Sequence, residues 1–232
     1  MLLELQTTQF WINLLEIIGI NILLSGDNAV VIALACRNLP GRMRTWGIVL
    51  GAVGAIVLRI VLTFFAVTLL GLPWLKLIGG ALLLWIGIKL ISEEESDDSG
   101  GGSRFAASDR LWAAVRTVVV ADLVMSIDNV LGVAAAAKGS LLLLVFGLVV
   151  SIPLVIAGSQ IILKLIERFP VLILAGGGLL GYVAGEMIVE DAALSAWVHG
   201  SAPWLAWLVP AAGVLAVIGI AKSIKRRRMA HS

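Results

Sequence analysis

Apolar runs of about twenty residues recur along this chain, separated by short breaks rich in polar residues, glycine or proline. A helix needs about 20 consecutive apolar residues to cross the hydrocarbon core of a bilayer. The pattern predicts seven spans, at residues 11–35, 45–70, 73–91, 111–137, 140–166, 170–190 and 203–223. The breaks fall at Asn38-Leu39-Pro40-Gly41, Gly71-Leu72-Pro73, Lys138-Gly139 and Phe169-Pro170, combinations that favour turns. One longer interruption, Ser92 to Arg110, holds Glu93-Glu94-Glu95, Asp97-Asp98 and Gly100-Gly101-Gly102-Ser103. That composition buries too little apolar surface to fold and reads as a solvated linker, with a regulatory or ion-attracting loop as the alternative. The expected fold is therefore all-α: one polytopic transmembrane bundle over residues 1–232, with a basic tail from residue 224.

Composition sharpens this reading mainly by exclusion. Of the 232 residues 60% are hydrophobic, against about 45–50% in soluble domains. Cys36 is the single cysteine and His199 and His231 the two histidines, so an intrachain disulfide and Cys-rich zinc or iron–sulfur centres are excluded. No Gly-x-x-x-x-Gly-Lys nucleotide loop is present. The N-terminus lacks a basic region and a small-residue cleavage site, so a removed signal peptide is not expected. The eight tryptophans suit membrane interfaces and need no cofactor. Neither nucleic acid nor a permanently bound cofactor is implied.

Charge sets the orientation. Arg37, Arg42 and Arg44 sit in the first connection, Lys89, Arg104, Arg110 and Arg116 flank the third, Lys164 and Arg168 the fifth, and Lys222, Lys225, Arg226, Arg227 and Arg228 form the tail. With seven spans all of these fall on one side, opposite Lys76 and Lys138. The positive-inside rule then puts the N-terminus outside and the C-terminus in the cytoplasm. The tail reads as a topology anchor and nothing more, with contact to anionic lipid headgroups as the alternative.

Two stretches nearly copy each other, Ser25-Gly26-Asp27-Asn28-Ala29-Val30 and Ser126-Ile127-Asp128-Asn129-Val130-Leu131. Asn21 aligns with Asp122 at the same offset, Pro73 aligns with Pro170, and Gly79-Gly80 with Gly176-Gly177. The repeated unit is three spans long, 11–91 and 111–190, and an odd number of spans makes the second copy enter from the opposite face. Inverted repeats of this kind build secondary transporters, with the substrate held near the midplane where the copies meet. The last span lies outside the repeat.

A carboxylate inside a membrane helix costs about 2.5–3.5 kcal/mol on insertion scales. Retaining Asp27 and Asp128 at matched positions therefore points to function. Asn21, Ser25 and Asn28 share one helical face, as do Asp122, Ser126 and Asn129. Such polar stripes must face the bundle interior or a watery cavity. Carboxylate and amide oxygens without imidazole or thiolate suit hard divalent cations such as Mn²⁺, Mg²⁺ or Ca²⁺. The candidate ligands are Asp27, Asp128, Asp122, Asn28, Asn129 and Asn21, with Glu16 as an entrance or exit ligand. Arg59, in mid-span, is expected to pair with one of the acids rather than touch substrate. Glu186 is either a further acid or proton relay, or one half of a structural pair. Gly176-Gly177-Gly178, Gly181 and Gly185 read as small residues for close helix packing.

On Ser25-Gly26-Asp27-Asn28-Ala29-Val30-Val31-Ile32-Ala33 and Ala121-Asp122-Leu123-Val124-Met125-Ser126-Ile127-Asp128-Asn129-Val130, the chain resembles the TerC family of integral membrane proteins in a compact seven-span form. That resemblance implies a bacterial cytoplasmic membrane location, metal ion export with manganese foremost, and a history of association with tellurite resistance. It carries the family's acids onto Asp27, Asp122 and Asp128.

The expected activity is secondary export of Mn²⁺, or of Ca²⁺ or Mg²⁺, driven by proton exchange, with one repeat rocking against the other. Moving a dication outward against an inside-negative potential costs about 4.6 kcal/mol per 100 mV, twice the single-charge figure, and no ATP-binding loop is there to supply it. The expected partners are the divalent ion, protons, the bilayer and, as an open option, further copies of the chain. Three other readings exist. An intramembrane aspartyl protease would need Gly-x-Gly-Asp, where this chain has Leu24-Ser25-Gly26 before Asp27, so no enzyme is expected. A membrane assembly or stress factor would dock through the linker. An exporter of another small solute would need paired opposite charges, and only Arg59 offers the cation.

Overall fold

The computed structural model describes residues 8–24, 26–70, 72–92, 107–136 and 140–229. Within these, the side chains of residues 8–10, 21–24, 66–70, 107, 128, 130–136, 141–142 and 228–229 fall outside the description. The described residues are helical throughout, apart from turns, and contain no strand. The helices are α1 (Thr8–Leu24), α2 (Gly26–Cys36), α3 (Gly41–Leu70), α4 (Leu75–Ser92), α5 (Ala107–Ala136), α6 (Leu141–Arg168), α7 (Val171–Val189), α8 (Ser195–Ser201) and α9 (Leu205–Met229).

Five stretches are long and apolar enough to cross a membrane: Gly41–Phe65, Leu75–Ser92, Leu143–Arg168, Val171–Val189 and Leu205–Arg227. α1 and α2 lie within the predicted first span on either side of Ser25, which is outside the described residues, and their apolar stretches Trp11–Ile20 and Gly26–Cys36 are each shorter than a crossing. α5 covers the predicted fourth span but carries Asp109, Arg110, Arg116, Asp122 and Asp128. Hydropathy and length thus give five candidate crossings among the described residues, and a count of seven needs α1 with α2, and α5, to cross as well. Two boundaries move. α5 starts inside the region read as linker, and α9 continues through the basic run, because Lys and Arg are good helix formers and favour a helix C-terminus. The short α8 was not anticipated.

The outer surface is apolar, as a lipid-facing surface must be: Trp85, Trp112, Trp207, Phe64 and Leu215 are all exposed. Inside, one cluster joins Val31, Leu34, Ile48, Leu83, Val118, Ala121, Leu180, Met187 and Val217. A second, smaller one joins Leu14 and Ile17 of α1 to Ile56 of α3 and Leu144 and Leu148 of α6. α3 packs chiefly on α5, α7 on α9 and α4, and α6 on both α1 and α2; α2 also meets α5.

The expected glycine packing is present and reaches backbone-to-backbone contact. A Cβ on Gly181 would lie 2.5 Å from the Gly213 oxygen, one on Gly80 2.6 Å from the Ala184 oxygen, and one on Gly185 would strike Pro210. In lipid, where no hydrophobic force drives helices together, such close approach is a main source of cohesion.

Polar ties close the two ends. Arg44 pairs with Glu167 and also donates to the carbonyls of Leu39 and Arg37, while Arg37 Nη2 donates to the Leu90 carbonyl at 2.7 Å. At the other end Asp191, fully buried, accepts from the N–H groups of Trp74 (2.9 Å), Leu77 (3.2 Å) and Ala193 (2.9 Å). It thereby caps the first turn of α4 from beyond the end of α7. Burial works to raise the Asp191 pKa, but the N–H groups of Ala193, Trp74, Leu77 and Lys76 outweigh it and hold the carboxyl below its ordinary value. Trp74 needs this anchor, since its φ of 72° is left-handed and strained for a bulky residue.

Candidate cation site

Three helices bring acids and amides to one cavity of about 220 Å³. It is lined by Asp27 of α2, Met125 and Asn129 of α5, Val183, Glu186 and Met187 of α7, and Glu190 just beyond it. Asp27 lies in the first turn of α2, where the helix dipole favours negative charge. Its Oδ1 accepts from the Asn28 N–H at 2.8 Å. Glu186 has a neighbour one turn back on α7, the Tyr182 phenol, which hydrogen-bonds it. Glu186 lines the cavity, one turn from the Tyr182 phenol. Glu190 is exposed and pairs with Lys76 at 3.5 Å, so the acids run from Asp27 in the bundle to the rim.

A second polar group lies beside the first. Arg59 of α3, 2% exposed, donates from Nη2 to Asp122 Oδ1 at 2.6 Å and from Nε to Ser126 Oγ at 3.0 Å. Ser126 Oγ in turn donates to Asp122 Oδ2 at 3.0 Å. The i, i+4 spacing of Asp122 and Ser126 on α5 presents both to one guanidinium. Arg59 thus pairs with an acid, as its mid-span position required. Arg59 and Asp122 are close enough to Asp27 for their charges to act on it.

Asn28 is 4% exposed, and among the described residues neither its Oδ1 nor its Nδ2 has a hydrogen-bond partner. Asn28, predicted as a ligand, is not among the residues that line the cavity.

The remaining predicted ligands are placed differently. Asp122 and Ser126 do not line the cavity; they hold Arg59. Glu16 is exposed on α1 and away from it. Ser25 and the side chains of Asn21 and Asp128 lie outside the described residues, so the meeting of Asp27 with Asp128 does too. Among the described residues no group of three or more His, Cys, Asp or Glu is assembled as a metal cluster. Sequence reasoning passed over Met125, Met187, Glu190 and Asp191. Helical spacing held the clue to two of them, since Glu190 follows Glu186 by four residues and Met125 precedes Asn129 by four.

Helices with an apolar exterior, close glycine contacts and ionised groups sealed inside define a polytopic integral membrane protein with an intramembrane polar site. The model of the family described as integral membrane protein TerC matches residues 6–229, and the chain belongs to the TerC family. It is 45% identical over 208 residues to the uncharacterized membrane protein YjbE of Bacillus subtilis, covering 89% of this chain and 93% of the relative. It is 30% identical over 170 residues to the uncharacterized membrane protein YceF of the same organism, covering 71% and 66%. With the UPF0053 inner membrane protein YgdQ of Escherichia coli K12 it shares 24% identity over 197 residues, covering 78% and 81%. No solved structure matches the chain.

Proposed function

We propose that this TerC family protein is a secondary transporter that exports a divalent metal ion, Mn²⁺ foremost, across the bacterial cytoplasmic membrane in exchange for protons. The observation that carries the reading is the cavity in which Asp27, Asn129 and Glu186 converge from three helices. Its oxygen donors suit a hard dication, and the thioether side chains of Met125 and Met187 on its wall favour a transition metal over Ca²⁺ and Mg²⁺. Carboxylates in such a site take either a metal or protons. Two protons entering per dication leaving would cancel the cost of moving charge against the membrane potential.

Helix packing supports the inverted-repeat reading. Exchanging α1–α2, α3 and α4 with α5, α6 and α7 turns the α3–α5 contact into the contact of α6 with α1 and α2. The same exchange turns α4–α5 into α7–α2 and leaves α4–α7, α3–α6 and α2–α5 unchanged; all of these contacts exist. The excess of Lys and Arg at one end favours a cytoplasmic C-terminus by the positive-inside rule, and the relative YgdQ is described as an inner membrane protein. An amino-acid exporter would need a cation in its site, and Arg59 is committed to Asp122 and Ser126.

The test is flux in proteoliposomes loaded with Mn²⁺ under an imposed pH gradient. Wild type releases the ion and acidifies the lumen in step; Asp27→Asn and Glu186→Gln do not. Equal flux in wild type and both variants refutes the proposal.

A further inference from the structure

Another cavity lies apart from the candidate cation site. It is about 720 Å³ in volume and lies where the ends of α4 and α9 meet the start of α7. Its walls have two characters. Ile91 in the last turn of α4 and Val171 and Leu174 in the first turn of α7 are apolar, while Lys222, Lys225 and Arg226 of α9 line it with three positive charges. This is the end of the bundle that also holds Arg37, Arg44 and Arg168, the side that the positive-inside rule faces toward the cytoplasmic leaflet. That leaflet is rich in anionic lipid, and basic side chains at its surface are drawn to it.

We propose that this cavity binds one anionic phospholipid, its phosphate held by Lys222, Lys225 and Arg226 and an acyl chain laid along Ile91, Val171 and Leu174. The charge complementarity chooses an anion, and the apolar wall chooses one that carries a hydrocarbon chain. A free phosphate would satisfy the basic side chains and leave that wall uncovered. Basic groups on the outer face of α9 alone would attract a charged membrane diffusely; a cavity with its own apolar floor holds a single molecule in one place. The three elements around it are the third helix of each repeat and the extra C-terminal helix, so a bound lipid would join them at the end opposite the Asp191 cap.

The experiment uses the full chain in a neutral detergent, titrated separately with dioctanoyl phosphatidylglycerol, dioctanoyl phosphatidylcholine and inorganic phosphate. Retention is read by native mass spectrometry and stabilisation by thermal unfolding. Phosphatidylglycerol is retained one per chain, and the other two are not. Each basic residue near an anionic headgroup is worth about fivefold in affinity, so Lys222→Gln with Lys225→Gln and Arg226→Gln weakens binding roughly a hundredfold. Arg227→Gln removes one charge from the same helix but belongs to a neighbouring groove lined by Leu215 and Ile220, and changes retention less than twofold. Leu174→Trp fills the apolar wall and weakens retention with every charge intact. Equal retention of phosphatidylcholine, or phosphate binding as well as the lipid, overturns the proposal. So does wild-type retention in the triple variant or in Leu174→Trp. Binding that appears only after Glu93, Glu94 and Glu95 are changed to Gln would assign the basic residues to the chain's own acidic run and overturn it as well.

Discussion

Replacing Arg59 by methionine removes one half of a buried charge pair and leaves the other half with no water to turn to. The two side chains are 2% and 5% exposed and meet at 2.6 Å, with Ser126 bonded to both. Breaking such a pair from one side costs about 3–5 kcal/mol, because a charge is left buried and uncompensated. For a chain of this size that corresponds to a fall in Tm of about 6–20 °C. Asp122→Leu strands the guanidinium instead and costs a similar amount. The double variant Arg59→Met with Asp122→Leu removes both charges, and buried pairs replaced together by apolar residues are about neutral or more stable. Ser126 then keeps a bond, since a serine in a helix can donate to the carbonyl four residues back. The double variant should therefore unfold near wild type, giving a coupling of at least about 3 kcal/mol between the two sites. Thermal unfolding of the four proteins in one detergent measures this directly. A double variant that loses the sum of the two single losses refutes the pairing as the source of stability. Flux through a stable double variant then separates two roles for Asp122: retained flux makes it a counter-charge for Arg59, and lost flux makes it a ligand that the cation reaches during the cycle.

Gly181→Ala places a methyl 2.5 Å from the Gly213 oxygen and should lower stability by about 1–3 kcal/mol through overpacking; Gly19→Ala, with nothing within 4 Å, should be neutral or slightly stabilising in the same melt. Asp191→Ala strands the buried N–H groups that cap α4, at about 1–3 kcal/mol for each donor left unpaired. Because the folded pKa of Asp191 lies below its unfolded value, its contribution is full above the unfolded carboxylate range and fades as pH falls through the folded value. Wild type should thus lose more stability in acid than Asp191→Ala does; parallel pH profiles would count against the cap. Met125→Leu and Met187→Leu should reduce the preference for Mn²⁺ over Mg²⁺ and Ca²⁺ in competition flux while leaving the fold intact, and an unchanged ranking of ions removes the thioethers from selectivity. In a chain with Cys36→Ser, a disulfide between Gly87→Cys and Leu180→Cys, whose Cβ positions are 3.3 Å apart, should leave flux unchanged, and its abolition by oxidation would show that α4 and α7 move apart.

Much of the bundle was legible because its causes are local. Apolar run length gave five of the crossings, and Pro73, Pro170 and the Asn38–Gly41 break gave the turns between them. The glycines of α7 could be assigned to packing because a glycine in a membrane helix has few other uses. That Arg59 needs an acid followed from its mid-span position alone, yet which acid it takes is a matter of helix register. Spacing in the sequence does not say which acid reaches the guanidinium, and it is the packing of α3 on α5 that brings Asp122 to it. Met125 and Met187 escaped notice for a related reason, since a methionine in a membrane helix is an ordinary core residue until a cavity lies beside it. The capping role of Asp191 was invisible because the donors it reaches on the other repeat, Trp74, Leu77 and Lys76, lie more than a hundred positions away.

The packing constrains how the proposed transport cycle can move. Alternating access needs two bodies that shift around a fixed site, and the sequence suggested one repeat rocking against the other. That motion would have to separate α4 from α7, where Gly80 meets the Ala184 carbonyl and Gly177 meets Ile91. Contacts between backbones leave no slack for a gradual slide, and the Asp191 cap ties the same two helices again at one end. α9 is locked to them through Gly181 and Gly213 and through Gly185 and Pro210. Against this group, α2 and α5 meet α7 across side chains and the candidate cavity. The division that breaks least is therefore between α4, α7 and α9 on one side and α2, α3, α5 and α6 on the other. Asp27 and Asn129 belong to the second body and Glu186 to the first, so a small turn between them would pull the ligands of the site apart and release the ion.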